Sequence, residues 1–140
     1  MSQYANVQAF SSVLTTELNS LADAANSNAS SNQDNSTNLY GFADVSVVLG
    51  AINPTSAGAR LEIHLIPRLA DGSTYADLSA STIVGTVVVD TSGSNTKEGM
   101  LRGVPIPPGF FQWRATNRTG VTLAASGNTM SVRYYDIKGG

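Results

Sequence analysis

The sequence has no cysteine, one histidine and one tryptophan, and only eight Lys or Arg and ten Asp or Glu among 140 residues. Each shortage closes off a class of function. Without cysteine there is no disulfide framework, no thiol nucleophile and no thiolate ligand. A single histidine, His64, cannot supply the converging His and Glu side chains of a metal-holding barrel mouth. Charged residues make up 13% of the chain, about half of the usual ~25%. Such a surface suits permanent packing against other protein. The net charge of −2 offers no basic footprint for nucleic acid. No apolar run approaches the ~18 residues of a membrane span. The opening MSQYANVQAF lacks the basic and long apolar regions of a secretory signal. The expectation is a protein made and folded in a cytoplasm, with no nucleic acid and no membrane among its partners. Its three Asn-x-Ser/Thr sequons, at Asn28, Asn35 and Asn117, then carry little meaning.

Basic residues are also missing from the first part of the chain, where none precedes Arg60. Residues 1–59 carry four acids (Glu17, Asp23, Asp34, Asp44) and a charge of −4, while residues 60–140 carry eight bases and six acids, or +2. Scattered solvated charge is the simpler reading; attraction between the halves, or between copies, is the alternative.

The catalytic inventory is as thin. His64 alternates with Leu and Ile, as a sheet-face histidine does, with no nucleophile or orienting acid implied beside it. Glu17, Glu62 and Glu98 do not read as a paired-carboxylate site. Asp71, Asp77 and Asp90 flank turns, where Asp bonds its own backbone, and Asp71-Gly72-Ser73-Thr74 lacks the alternating oxygens of a calcium loop. No phosphate-binding Gly loop, nucleophile elbow or HExxH occurs. The chain is expected to be no enzyme and to use no cofactor and no metal. Tyr40, Tyr75 and Tyr135 are the aromatics that a sugar-binding sandwich would present.

What the chain does have is alternation. Arg60 to Leu69 sets Leu61, Ile63 and Leu65 against Arg60, Glu62 and His64, a half-buried strand with one wet face. Leu39–Gly50, Ile83–Val89, Met100–Val104 and Phe110–Thr116 read as further strands. Val121, Leu123 and Ala125 form the inward face of another. In the last, Met130, Val132 and Tyr134 face in, while Ser131, Arg133 and Tyr135 face out. Asn-Pro, Asp-Gly and Ser-Gly-Asn clusters separate them. Seven or eight short strands, with no strand–helix rhythm, specify an all-β antiparallel sandwich or barrel.

Two stretches stay open. Val7, Phe10, Leu14, Leu18, Leu21 and Ala25 have helical spacing, but the dense Ser, Thr and Asn weaken a helix. Residues 1–25 are therefore an N-terminal arm or a short helix, ahead of a sandwich over residues 26–140, a single domain overall. Residues 26–38 (NSNASSNQDNSTN) are either a flexible linker or a strand of small residues with Ala25, Ser27, Ala29 and Ser31 on one face.

The stretch Val104–Trp113 (VPIPPGFFQW) holds three of the five prolines. Pro105 to Pro108 fits the PxxP pattern of groove-binding peptides. Proline has no N–H and fixes φ, however, so between two strand patterns these residues read as a corner. Phe111, Trp113 and Tyr134 are then core anchors. Phe110 points the other way, outward or into a partner.

Leu65–Tyr75 (LIPRLADGSTY), Val104–Gly109 followed by Phe111, Thr119–Thr129 (TGVTLAASGNT), Tyr134-Tyr135 and Asp34–Leu39 (DNSTNL) together resemble small structural proteins of tailed bacteriophages. The resemblance spans roughly residues 13–136 and rests on turn and strand signatures. The family it points to is the capsid cement, or decoration, proteins of jelly-roll type. It implies a structural virion protein on the capsid exterior that bridges neighbouring major capsid subunits, with the major capsid protein and itself as partners. A dimer is implied first and a trimer second. The possible interface takes Tyr4, Val7 and Phe10 from the arm and Phe110 and Tyr135 from the sandwich. A tail, baseplate or fibre component that binds host glycan is the alternative role.

Overall fold

The computed structural model describes residues 3–79 and 82–138. Their strands are β1 (Gln3–Ala5), β2 (Ser11–Leu14), β3 (Gln33–Asn35), β4 (Phe42–Ile52), β5 (Arg60–Pro67), β6 (Ile83–Val88), β7 (Asn95–Pro105), β8 (Gly109–Arg118) and β9 (Thr129–Lys138). One sheet runs β1-β9-β4-β7, with β2 also paired to β9; the other runs β3-β8-β5-β6. Every pairing is antiparallel. The protein is an all-β antiparallel sandwich.

Period-two alternation builds it. In β4, Ala43, Val45, Val47 and Leu49 are buried against the opposite sheet, which sends Leu61 and Ile63 from β5 and Phe111, Trp113 and Ala115 from β8. Phe111 and Trp113 have no exposed surface and meet edge to face at 5.7 Å between centroids. Each such ring contributes at most roughly 4–6 kcal/mol of transfer free energy. The polar ends of this aromatic cluster are also satisfied. Trp113 Nε1 donates to the Tyr134 hydroxyl at 3.0 Å, and that hydroxyl donates to Gln33 Oε1 at 2.8 Å. Burial pushes the Tyr134 phenol up to about 12. Tyr134 is half-buried at the core margin and stacks on Tyr40.

The sheets close on each other along β6 and β7. A Cβ on Gly85 would strike the Leu101 side chain, and one on Gly99 would strike Val87. A larger residue at either position would force the facing side chain to shift.

The proline stretch is a corner. β7 ends at Pro105 and β8 starts at Gly109, whose φ of 92° needs glycine. Asn35 fastens the corner by donating to the carbonyls of Tyr40 and Pro107, both at 2.9 Å.

One open choice closes in favour of the extended arm, and three expectations need correction. Residues 5–25 contain no α-helix: one 3₁₀ turn, Thr16–Leu18, joins extended segments. Leu14 and Leu18 are buried and Val7 and Phe10 are not, so the helical spacing arises from a bent extended path. Residues 26–31 are neither a loose linker nor a regular strand. Ser27 and Ser30 use backbone N–H and side-chain Oγ together to bond Ala115 and Trp113 of β8 at 2.8–3.0 Å. Residues 121–125 form no strand. Asn117 and Asn128 fold them with side-chain bonds to the Val121 and Ala124 carbonyls, and only Leu123 of the three expected inward residues is fully buried. Last, the outward face of β5 is not wet at its centre: His64 and Ile66 are 4% and 1% exposed, beneath the connection from β5 to β6.

Candidate interface on the arm-bearing sheet

β9 is the organising strand of the site. Its inward side chains join the core, and its outward ones, Ser131, Arg133 and Tyr135, meet Ser12, Phe10 and Tyr4 of the neighbouring arm. β1 pairs with its far end (Tyr4 opposite Ile137) and β2 with its near end (Ser11 opposite Val132). Between them Gln8 N donates to the Tyr134 carbonyl at 3.0 Å. The arm is therefore docked along its length on its own domain.

Next to the arm, across β9, sits a small charged centre. Asp44 is 4% exposed. It accepts from Arg133 at 2.9 Å, from Gly103 N at 3.0 Å and from the Tyr135 hydroxyl at 3.2 Å. Burial works to raise the Asp44 carboxyl, but the bonds from Gly103, Arg133 and Tyr135 outweigh it and hold the pKa below the ordinary carboxylate value. This pair also joins an N-terminal acid to a C-terminal base, an exception to scattered solvated charge. The Phe10 ring covers the Arg133 guanidinium at 4.8 Å. Tyr4, Val7, Asp44, Arg102, Arg133 and Tyr135 line an open pocket of about 160 Å³.

The structure brings Tyr4, Val7, Phe10 and Tyr135 together and leaves Phe110 apart. Tyr4, Val7 and Phe10 are 69%, 48% and 39% exposed, an unusual outlay of apolar surface for a segment already hydrogen-bonded in place. Tyr135 is corrected. It points outward, as alternation requires, but Tyr4 meets it edge to face at 5.2 Å and Phe42 stacks on it, leaving it 3% exposed. It is the floor under Tyr4 and offers no ring to a partner. Burial, followed by the charge of Asp44, raises its phenol. Phe110 lies on the other sheet, opposite Asp34 of β3, with the Arg68 guanidinium 3.8 Å above its ring. Exposed Met100 and Ile137 escaped the sequence reading, although alternation in β7 and β9 could have found them.

A second concavity of about 330 Å³ lies on the opposite sheet, lined by Asn26, Glu62, His64, Thr116 and Arg118 among others. It brings His64 and an acid into one pocket, the arrangement a hydrolase would start from. The bonding points elsewhere. His64 Nδ1 meets the Thr82 hydroxyl at 2.7 Å and Nε2 meets Thr116 at 3.0 Å, so no carboxylate orients the ring. Glu62 is held between Arg118 at 3.1 Å and Arg60 at 3.3 Å. Burial lowers the His64 pKa, Arg118 and Arg114 add to the effect and Glu62 opposes it. Among the described residues no group of three or more His, Asp or Glu is placed to hold a metal.

Compared with protein-family models the chain matches none, and it matches no curated protein sequence.

Proposed function

We propose that this chain is a structural virion protein that binds the outside of an icosahedral phage capsid and cements neighbouring major capsid subunits. One observation carries the reading beyond the sequence resemblance. The arm presents Tyr4, Val7 and Phe10 to solvent from backbone that β9 already holds. A flexible tail gives up conformational freedom when it docks; a pre-ordered one gives up less, so its apolar contacts go further toward adhesion. Repeated over a lattice, modest contacts sum to a firm shell.

The strand order supports the jelly-roll form of this reading. Leaving β1 aside, the eight strands distribute as β2-β9-β4-β7 over β3-β8-β5-β6, two four-stranded layers of the kind jelly rolls use. Self-association, dimeric first and trimeric second, belongs to the same proposal.

Deleting residues 1–12 tests it. The truncated protein should stay folded by circular dichroism and lose most of its occupancy on purified shells. Undiminished occupancy removes the arm from the interface. Copy number separates the shell role from a tail role, hundreds per particle against a few to tens. The polar concavity around Glu62 and Arg118 gives the tail alternative one specific support, since it has room for a sugar ring. Glycan-array binding abolished by Arg118→Ala would favour that alternative.

A further inference from the structure

Among the described residues the arm-bearing sheet ends at β7, which pairs only with β4. The direction of its backbone groups follows from one hydrogen bond. Gln8 N reaches the Tyr134 carbonyl, so the even-numbered residues of β9 turn their backbone groups toward the arm. The odd ones then bond Asp44, Ser46 and Val48 of β4. That leaves Val45, Val47 and Leu49 to bond Leu101, Gly99 and Lys97 of β7, and directs the N–H and C=O groups of Glu98 and Met100 away from the sheet.

The side chains along this bare edge are self-complementary. Glu98, Met100 and Arg102 share the outward face at intervals of two and are exposed, Met100 at 43%. Among the described residues neither Glu98 nor Arg102 has an ion pair or a side-chain hydrogen bond within the chain. In an antiparallel alignment of two copies about a two-fold axis at Met100, each Glu98 faces the second copy's Arg102 and the methionines meet on the axis. Opposite charges directly across an antiparallel pair stabilise it, and like charges destabilise it.

Two features confine the alignment to this run. At the far end Arg102 and Gly103 together oppose Asp44, a bulge with Gly103 at φ 69°, which twists the edge away. At the near end Lys97 turns inward, 2% exposed, with its ammonium on Gly93 O and the Asn95 side chain. An inward charge of this kind blunts an edge against indiscriminate pairing.

We propose that Glu98–Arg102 of β7 is the self-association surface of this protein, where a second copy pairs antiparallel about Met100 and joins the two arm-bearing sheets into one. This rests on the self-association part of the function proposed above and is independent of the capsid as partner.

Sedimentation velocity over a concentration series gives the first readout, with a dimer growing in as concentration rises. Glu98→Arg puts like charges at both symmetric contacts and should weaken the dimer roughly tenfold or more, while Glu98→Arg with Arg102→Glu restores it. Met100→Cys gives the second. The chain has no other cysteine, and facing residues of a hydrogen-bonded antiparallel pair lie about 5.5 Å apart at Cα, within disulfide reach. Diamide should convert Met100→Cys to a covalent dimer and leave Val88→Cys, on the exposed edge of β6, monomeric. A dimer that survives Glu98→Arg, or equal cross-linking through Val88→Cys, overturns this surface while self-association stands. An unmodified protein that sediments as a monomer throughout overturns both.

Discussion

The two outer faces of the sandwich are finished differently. Over the β3-β8-β5-β6 sheet the chain closes its own surface. The β5–β6 connection and the segment around Asn26 bury His64, Ile66 and Thr116, and Glu62 is held between two arginines. Over the arm-bearing sheet the cover is partial. Tyr4 covers Tyr135 and Phe10 covers Arg133, but Tyr4, Val7 and Phe10 are themselves presented, and beyond the arm the edge at Met100 is bare. One face spends its polar groups on itself and the other holds contact area in reserve. The difference teaches that the contact surface the proposed function needs is left open on the arm-bearing sheet, while the opposite face is closed by its own chain.

The strongest way to test that contrast is to damage what both faces share. Trp113→Ala empties the core beneath them and should cost about 3–5 kcal/mol, visible as a large drop in the denaturation midpoint and a loss of both faces together. Asp44→Ala strikes only the arm-bearing side, stranding Arg133, Gly103 N and the Tyr135 hydroxyl. Arg133 keeps partial hydration, so about 2–3 kcal/mol is expected. The same carboxylate sets an acid limit. Its folded pKa lies below its unfolded value of about 4. The stability it contributes is complete above that value and is lost as pH falls through the folded pKa. Asp44→Asn should flatten that part of the stability–pH curve.

On the closed face, Ser30→Ala removes the acceptor for Trp113 N and should cost about 1 kcal/mol. His64 titrates in a different window. Its folded pKa is lowered, so its contribution is whole above the unfolded value of about 6.5 and declines as pH falls through that value toward the folded one. A proton-NMR titration should place the ring below ordinary histidine, and His64→Gln should remove the slope between pH 6.5 and the folded pKa. The smallest stability effect per site belongs to the reserve surface. Joint replacement of Tyr4, Val7 and Phe10 by Ser removes the Tyr4–Tyr135 and Phe10–Arg133 contacts and should move the unfolding free energy by about 0.5–1 kcal/mol per site, while the proposed role has it abolish shell occupancy. A large stability loss there would erase the distinction between the faces.

The fold was legible where burial alternates cleanly. β5 and β8 lie within two residues of their sequence-based ranges, and Phe111 and Trp113 are core because period two puts them there. Alternation failed where something lies on top of a strand or where side chains replace the ladder. Tyr135 points outward and is buried all the same, because Tyr4 comes from 131 positions earlier in the chain. Val121, Leu123 and Ala125 alternate without forming a strand, because Asn117 and Asn128 satisfy the backbone of that loop. Ser27 and Ser30 read as linker because their bonds to β8 pass partly through hydroxyls, which periodicity does not register. Of the site, the exposed arm aromatics were visible in the sequence. The charged floor of Asp44, Arg133 and Tyr135 was not, since its members are 44, 133 and 135 in a chain whose contacts are mostly long-range.

The register of Gln3 opposite Lys138 carries a mechanical consequence. Traction between the two ends opens the β1–β9 ladder like a zipper, one rung after another, at low force. Tension entering through β4 and β8 must shear whole ladders at once. A tether fused at either end therefore pulls on the weakest direction of the molecule, and a load-bearing attachment belongs on the body of the sandwich.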